Sequence, residues 1–226
     1  MPVLPLSLPE SPSGISYSLI TNAADPDFPA VVAIYLSSFP ANERMPVHIM
    51  EWRVNSGLSV LLVGKRGDEV ISMCLLWYFS NSTLVQLDYF AVAEPYRNQN
   101  LGGEFFNAVC HYFAAQGKQL LIEVENPDFE PERDLKKRRI NFYLRHGAAL
   151  LANVWYTLPA FTADEPAKMR LMVAPAPEPG SVSRALVKTL IERTFVEIYH
   201  RKPEDTVLID LLDRVPAEVE VRTGRL

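Results

Sequence analysis

Residues 87–106, Leu-Asp-Tyr-Phe-Ala-Val-Ala-Glu-Pro-Tyr-Arg-Asn-Gln-Asn-Leu-Gly-Gly-Glu-Phe-Phe, read as a strand, a short polar loop and the first turns of a helix. A helix start carries N–H groups without intrahelical partners and a partial positive charge, so this junction has the chemistry of a phosphate site. The two glycines let a ligand come close to the backbone. A second set of residues has acid–base chemistry. Asp88 stands on the strand entering the loop, on a face shared with Gln86 and Phe90, and Glu123 and Glu125 share one face of a later strand. A carboxylate inside a strand is costly to bury unless paired. Two in alternation therefore mark a polar cleft, or ion pairs with Arg138, Arg139 or Arg145. Tyr143, four residues before Gly147, carries a phenol, a proton donor with an ordinary pKa of ~10.

The spacing selects among phosphate-binding loops. No Gly-x-x-x-x-Gly-Lys-Ser/Thr run is present, and no Gly-x-Gly-x-x-Gly. What stands here is Ala91-Val92, then Pro95-Tyr96-Arg97, then Asn100-Leu101-Gly102-Gly103. This resembles the acyl-CoA loop of the GNAT superfamily of N-acetyltransferases, Arg/Gln-x-x-Gly-x-Gly/Ala after a strand ending in Ala-Val. Arg97, Leu101 and Gly102 match it; Asn100 stands where the first glycine usually stands. Asn tolerates left-handed backbone angles better than most residues. The segment Arg139-Ile-Asn-Phe-Tyr-Leu-Arg-His-Gly147 resembles the family stretch in which a Tyr points its hydroxyl at the thioester sulfur. Where the family often carries Asn and Ala before that Tyr, this chain has Lys136 and Arg139.

The resemblance implies an acetyl-CoA site without a metal. The loop residues Asn98, Gln99, Asn100, Leu101, Gly102 and Gly103 would take the pyrophosphate, with Arg97 as a nearby cation. Backbone groups of Phe90, Ala91 and Val92, beside an Ala-Val bulge, would pair with the pantetheine arm, and Tyr143 would lie against the cofactor. Acetyl transfer requires that the cofactor be held, that the amine lose its charge, and that the leaving thiolate be protonated. Tyr143 is the acid candidate; Asp88 and Glu125 are the base candidates. Glu123, Glu125 and Tyr156 are the expected substrate contacts. The segments Phe39–Pro46 and Val154–Pro159, with Trp52 and Trp155, are the expected acceptor walls. The implied function is N-acetylation of a primary amine, on a small molecule or a peptide, by direct attack in a ternary complex. The alternative is a catalytically inactive acyl-CoA-binding module.

The elements that must position these residues follow from pattern. The chain has 226 residues, with 48% apolar and 22% charged, the composition of a globular protein with a real core. A net charge of −5 argues against a nucleic-acid partner. No apolar run reaches membrane-spanning length, and a cytoplasmic location is the default expectation. Cys74 and Cys110 read as buried thiols, and the four histidines show no metal-ligand spacing.

The expected order is β-α-α-β-β-β-α-β-α-β-β plus a helical extension: a mixed α/β class and, by the resemblance, the GNAT fold, a mostly antiparallel central sheet flanked by helices. Residues 1–14 read as a flexible tail, 15–174 as the acetyltransferase domain, and 175–226 as linker, helix and C-terminal tail. Asp25 is the expected cap of a first helix, with Pro26 at its first position. A second helix spans Val47–Asn55. Three strands in meander follow over Ser59–Lys65, Val70–Phe79 and Leu84–Val92, with turns at Gly67-Asp68 and Asn81-Ser82. Then come helix Gly102–Ala115, strand Gln119–Glu125, helix Asp134–His146, and strands Ala148–Leu158 and Lys168–Val173. Ala174–Gly180 is a stiff linker, and Ser181 is the expected cap of a last helix reaching about His200. Its apolar face, with Leu190 and Phe195, either packs back on the domain or forms a homodimer contact.

Overall fold

The computed structural model describes residue 8 and residues 11–80, 82–158, 167–178 and 182–226. Most of the expected tail, together with Asn81, Pro159, Gly180 and Ser181, lies outside the described residues. The architecture is mixed α/β, with mostly antiparallel strands flanked by helices. Two compact units divide between Gln119 and Leu120.

The first unit opens with β1 (Ser16–Ile20), α1 (Phe28–Ser38) and α2 (Val47–Asn55). A meander of β2 (Ser59–Arg66), β3 (Glu69–Tyr78) and β4 (Leu84–Val92) follows, and α3 (Leu101–Ala114) closes the unit. The pairings β2–β3 and β3–β4 are antiparallel, as short connections dictate, and β1, separated from β2 by both helices, also pairs with it antiparallel. α1 begins two residues later than the Asp25 signal suggested, with Asp27 at the cap position. Asp25 instead accepts a hydrogen bond from the amide of Asp27 at 2.9 Å, closing a turn, and Pro29 takes the early helical position. One core cluster joins Phe28, Val31, Ile34 and Tyr35 of α1 with Met50 and Val54 of α2 and with Leu61, Val63, Leu75, Tyr89 and Ala91 of the strands. On β4, Phe90 points the other way and stacks on Phe105 of α3, centroids 5.5 Å apart. Strand β4 is therefore covered by helices on both faces.

The second unit contains β5 (Gln119–Glu125, whose first residue belongs to the first unit), α4 (Arg133–Arg145), β6 (Ala149–Leu151), β7 (Tyr156–Leu158) and β8 (Ala167–Ala174). α5 (Arg184–Arg193), one π turn over Thr194–Ile198, α6 (Thr206–Arg214) and β9 (Val221–Arg222) complete it. β8 pairs antiparallel with β5 on one side and with both β6 and β7 on the other. The expected continuous strand over Ala148–Leu158 is broken. Its residues 152–153 bond the C-terminal segment instead: the Ala152 amide donates to the Glu220 carbonyl at 2.7 Å, Asn153 exchanges side-chain bonds with Glu218 and Glu220 at 2.9 Å, and β9 pairs with β6.

Ser183, not Ser181, caps α5, accepting from the Leu186 amide at 3.1 Å. The buried face of that segment is Val187, Leu190, Ile191, Phe195 and Ile198. The tail expected beyond it contains α6, whose cap Asp205 accepts from the amides of Val207 and Leu208.

Candidate acyl-transfer site

In the first unit the loop after β4 is wound by two left-handed asparagines. Asn98 and Asn100 both have φ +61°, a region that costs Asn less than most residues. Asn100 sits at the N-cap of α3, and its carbonyl accepts the Glu104 amide at 3.1 Å. The backbone turn that the family's first glycine would make is thus made by Asn100. The first-turn amides of α3, at Leu101, Gly102 and Gly103, have no preceding helical turn to satisfy them. Two side chains brace the loop. Gln99 donates to the Pro95 carbonyl at 2.9 Å. Arg97 folds back, donating to the Val92 carbonyl at 3.0 Å and to the Ser38 hydroxyl at 3.1 Å. Arg97 therefore braces the end of β4 as well as adding charge near the loop.

The irregularity of β4 lies three residues before Ala91-Val92. Leu75 faces Tyr89 and Leu76 faces Leu87, so Asp88 is the extra residue of a bulge. A bulge re-aims side chains. Asp88 keeps the face of Gln86 but leaves that of Phe90: it meets Arg53 of α2 at 3.3 Å, while the Arg53 guanidinium lies 4.8 Å over the ring of Trp77, the register partner of Gln86. Both partners are nearly sealed from water, Arg53 at 1% and Asp88 at 7% exposure. Burial pushes the Asp88 carboxyl up to about 7, against the pull of the Arg53 charge. In the same interior, Ser59 Oγ, Trp77 Nε1 and both amide atoms of Gln86 have no hydrogen-bond partner among the described residues.

The expected acceptor wall over Phe39–Pro46 is tied to β4 by one phenol. Tyr89 donates to the Glu43 carbonyl at 2.9 Å and accepts from the Met45 amide at 3.1 Å, while Tyr35 donates to the Met45 carbonyl at 3.0 Å. Burial pushes the Tyr89 phenol up to about 12. Sequence reasoning missed Arg53, Tyr35 and Tyr89. A charged residue on an apolar helix face was the signal available for Arg53, and no local pattern marks the two tyrosines. Trp52, next to Arg53, is 50% exposed and lies outside that core.

In the second unit, Glu123 and Glu125 alternate with the buried Ile122 and Val124, as expected of one strand face. Glu125 is ion-paired with Arg139 of α4, the residue that replaces the family's alanine. Lys136, which replaces its asparagine, donates to the Phe129 carbonyl at 2.9 Å and holds the loop before α4. Glu123 accepts from the Tyr199 hydroxyl at 3.3 Å. Burial first, and then the Glu123 charge, push the neighbouring Tyr156 phenol well up. Tyr156 is 2% exposed, its ring against Phe195. Tyr199 could not be tied to Glu123 from the sequence, because 76 positions separate them. Tyr143 is buried on α4 beside Ile140 and Leu144, and its carbonyl accepts the amides of His146 and Ala148 where Gly147 (φ +82°) stops the helix.

The sequence matches the Acetyltransferase (GNAT) family over residues 23–148, more than half of the chain, and the chain belongs to that family. Solved structures with the same fold include a putative acetyltransferase of the GNAT family from Bacteroides thetaiotaomicron. It is 22% identical with a TM-score of 0.70, the match covering 83% of this chain and 99% of that one. A GNAT family acetyltransferase from Elizabethkingia anophelis with acetyl-CoA bound is 16% identical, TM-score 0.51, over 70% and 96% of the two chains. The putative acetyltransferase yncA from Salmonella typhimurium with its cofactor acetyl-CoA is 12% identical, TM-score 0.52, over 74% and 98%. No curated protein sequence matches. Among the described residues, no helix is long and apolar enough to cross a membrane, and no group of three or more His, Cys, Asp and Glu could hold a metal.

Proposed function

We propose that the protein transfers an acetyl group from acetyl-CoA to a primary amine of a small molecule or peptide by direct attack in a ternary complex. The observation that carries this is the β4–loop–α3 junction, where Asn100 takes the left-handed turn and the first-turn amides of α3 stand open to an anion. The family's membership and the acetyl-CoA bound to two of the related structures support the same cosubstrate. Acetyl-CoA supplies an activated acyl thioester, so no catalytic Ser or Cys is needed.

The chain's own residues then have defined tasks. The loop residues Asn98–Gly103 hold phosphate, and the backbone of Phe90–Val92 holds the arm. Asp88, with its carboxyl near neutrality, is suited to take the amine proton at neutral pH. Glu125 is the second base candidate, with its charge already engaged by Arg139. Tyr143 is assigned the return of a proton to the departing sulfur. Glu123 and Tyr156 are assigned to acceptor recognition, Tyr156 from behind Glu123 rather than by open contact.

The test is calorimetric titration with acetyl-CoA, in parallel with Gly102→Glu, followed by thiol release against an amine panel. Micromolar binding, about −8 kcal/mol, should be lost in the variant. Absence of binding by wild type refutes the reading. Binding without thiol release to any amine would leave an acyl-CoA-binding module.

A further inference from the structure

Three large apolar side chains that the fold leaves in water, Phe129, Trp155 and Val207, are 43%, 53% and 40% exposed, and all three line one cleft of the second unit. They come from separate places: the loop after β5, the turn before β7 and the first turn of α6. Scattered exposed apolar residues need no explanation, but convergence of aromatics on one concavity marks a ligand site. The cleft has a volume of about 510 Å³, within the size range of small-molecule sites.

Its charges select the ligand. Lys168 of β8 and Arg214 and Asp210 of α6 complete the lining. Arg214 is paired with Asp210 at 2.9 Å, whereas exposed Lys168 has no ion pair among the described residues. The Arg170 guanidinium lies 5.3 Å over the Trp155 ring and approaches Asp128 at 3.9 Å. Among the described residues one positive charge, that of Lys168, is therefore left over. A cationic ligand seeking the aromatic faces would meet that charge, while an anion would be drawn to it.

The geometry points to this cleft as a binding site for an aromatic carboxylate, its ring against Phe129 and Trp155 and its carboxylate on Lys168. As recognition of the acceptor it rests on the acetyltransferase reading, and it names the acceptor class: an amine of amino-acid type with an aromatic side chain. The binding itself does not depend on that reading. One wall, α6, lies beyond the residues that match the family.

The experiment is calorimetry of the full chain without acetyl-CoA, using 3-phenylpropanoate as probe and 3-phenylpropylamine as its cationic counterpart. The expected dissociation constant is on the order of a millimolar or below for the carboxylate. It should weaken about tenfold or more with Trp155→Ala or Lys168→Glu, both at exposed positions, and the amine should bind about tenfold or more weakly. Phenylpropanoate binding unchanged by both substitutions, or equal affinity for the amine, overturns the proposal. A wild type that binds acetyl-CoA but not phenylpropanoate overturns it alone. One that binds phenylpropanoate but not acetyl-CoA overturns only the transferase reading, and one that binds neither removes both.

Discussion

Two arginine–carboxylate pairs, Arg53–Asp88 in the first unit and Arg139–Glu125 in the second, differ in almost everything but the chemistry of their groups. Arg53–Asp88 is shut away from water, on a helix and a strand bulge whose neighbours are Trp77 and Gln86. Arg139–Glu125 lies open, the arginine 43% and the glutamate 21% exposed. Taking a charge out of water costs several kcal/mol, and a close partner recovers only part of it. The buried pair is thus a strained compromise that leaves Asp88 near its titration point, and the open pair is a solvated contact of small net worth. At the bulge Asp88 stays with Gln86 on the face of α2, while Phe90 turns to α3.

The largest expected effect separates the two carboxylates as bases. Asp88→Asn should lower turnover by roughly 10²–10⁴-fold, and Glu125→Gln by much less. The opposite ranking in steady-state rates would move the base to the second unit. Next, Arg53→Met should destabilise the fold by about 3–5 kcal/mol, because it strands a buried carboxylate; a denaturant titration reads this directly. Tyr143→Phe should cut turnover by about 10²-fold while leaving acetyl-CoA affinity nearly intact, and equal rates would remove it from the mechanism.

The pH dependence sharpens the contrast further. As the proposed base, Asp88 must be ionised to act, so the rate should rise as pH passes through about 7. Its folded value is raised from the ordinary 3.8, so the native state holds a proton that the unfolded chain releases. The stability it contributes is complete below 3.8 and is lost as pH rises through about 7. Unfolding curves of wild type and Asp88→Asn, measured across that window, should diverge. The smallest effect belongs to Arg139→Met, no more than about 1 kcal/mol in the same assay.

How much of this was legible in the sequence divides along the same line. The meander is readable because its order rests on local signals: apolar runs separated by turn residues. The loop after β4 was readable because its residue types demand a particular backbone, and Asn100 adopts it. Asp88 is legible as a titratable residue on the face of Gln86, but its separation from Phe90 is not, since a one-residue bulge resets the alternation and depends on the neighbouring strand. Arg53 and Tyr199 were invisible as partners because each contact closes across tens of residues. In the second unit the strand over Ala148–Leu158 looked continuous, and its interruption is written in residues 218–222, far along the chain. α6 falls in what reads as C-terminal tail, though its Asp205 cap is there to be read.

That last segment has a consequence for handling the protein. β9 occupies the outer side of β6, and the final residue's amide donates to Asn141 of α4 at 2.9 Å. Without it, β6 would present a bare row of amides and carbonyls, the surface on which strands of other molecules add themselves. A deletion after Val215 should therefore show itself first as loss of monodispersity, before any change in the loop after β4.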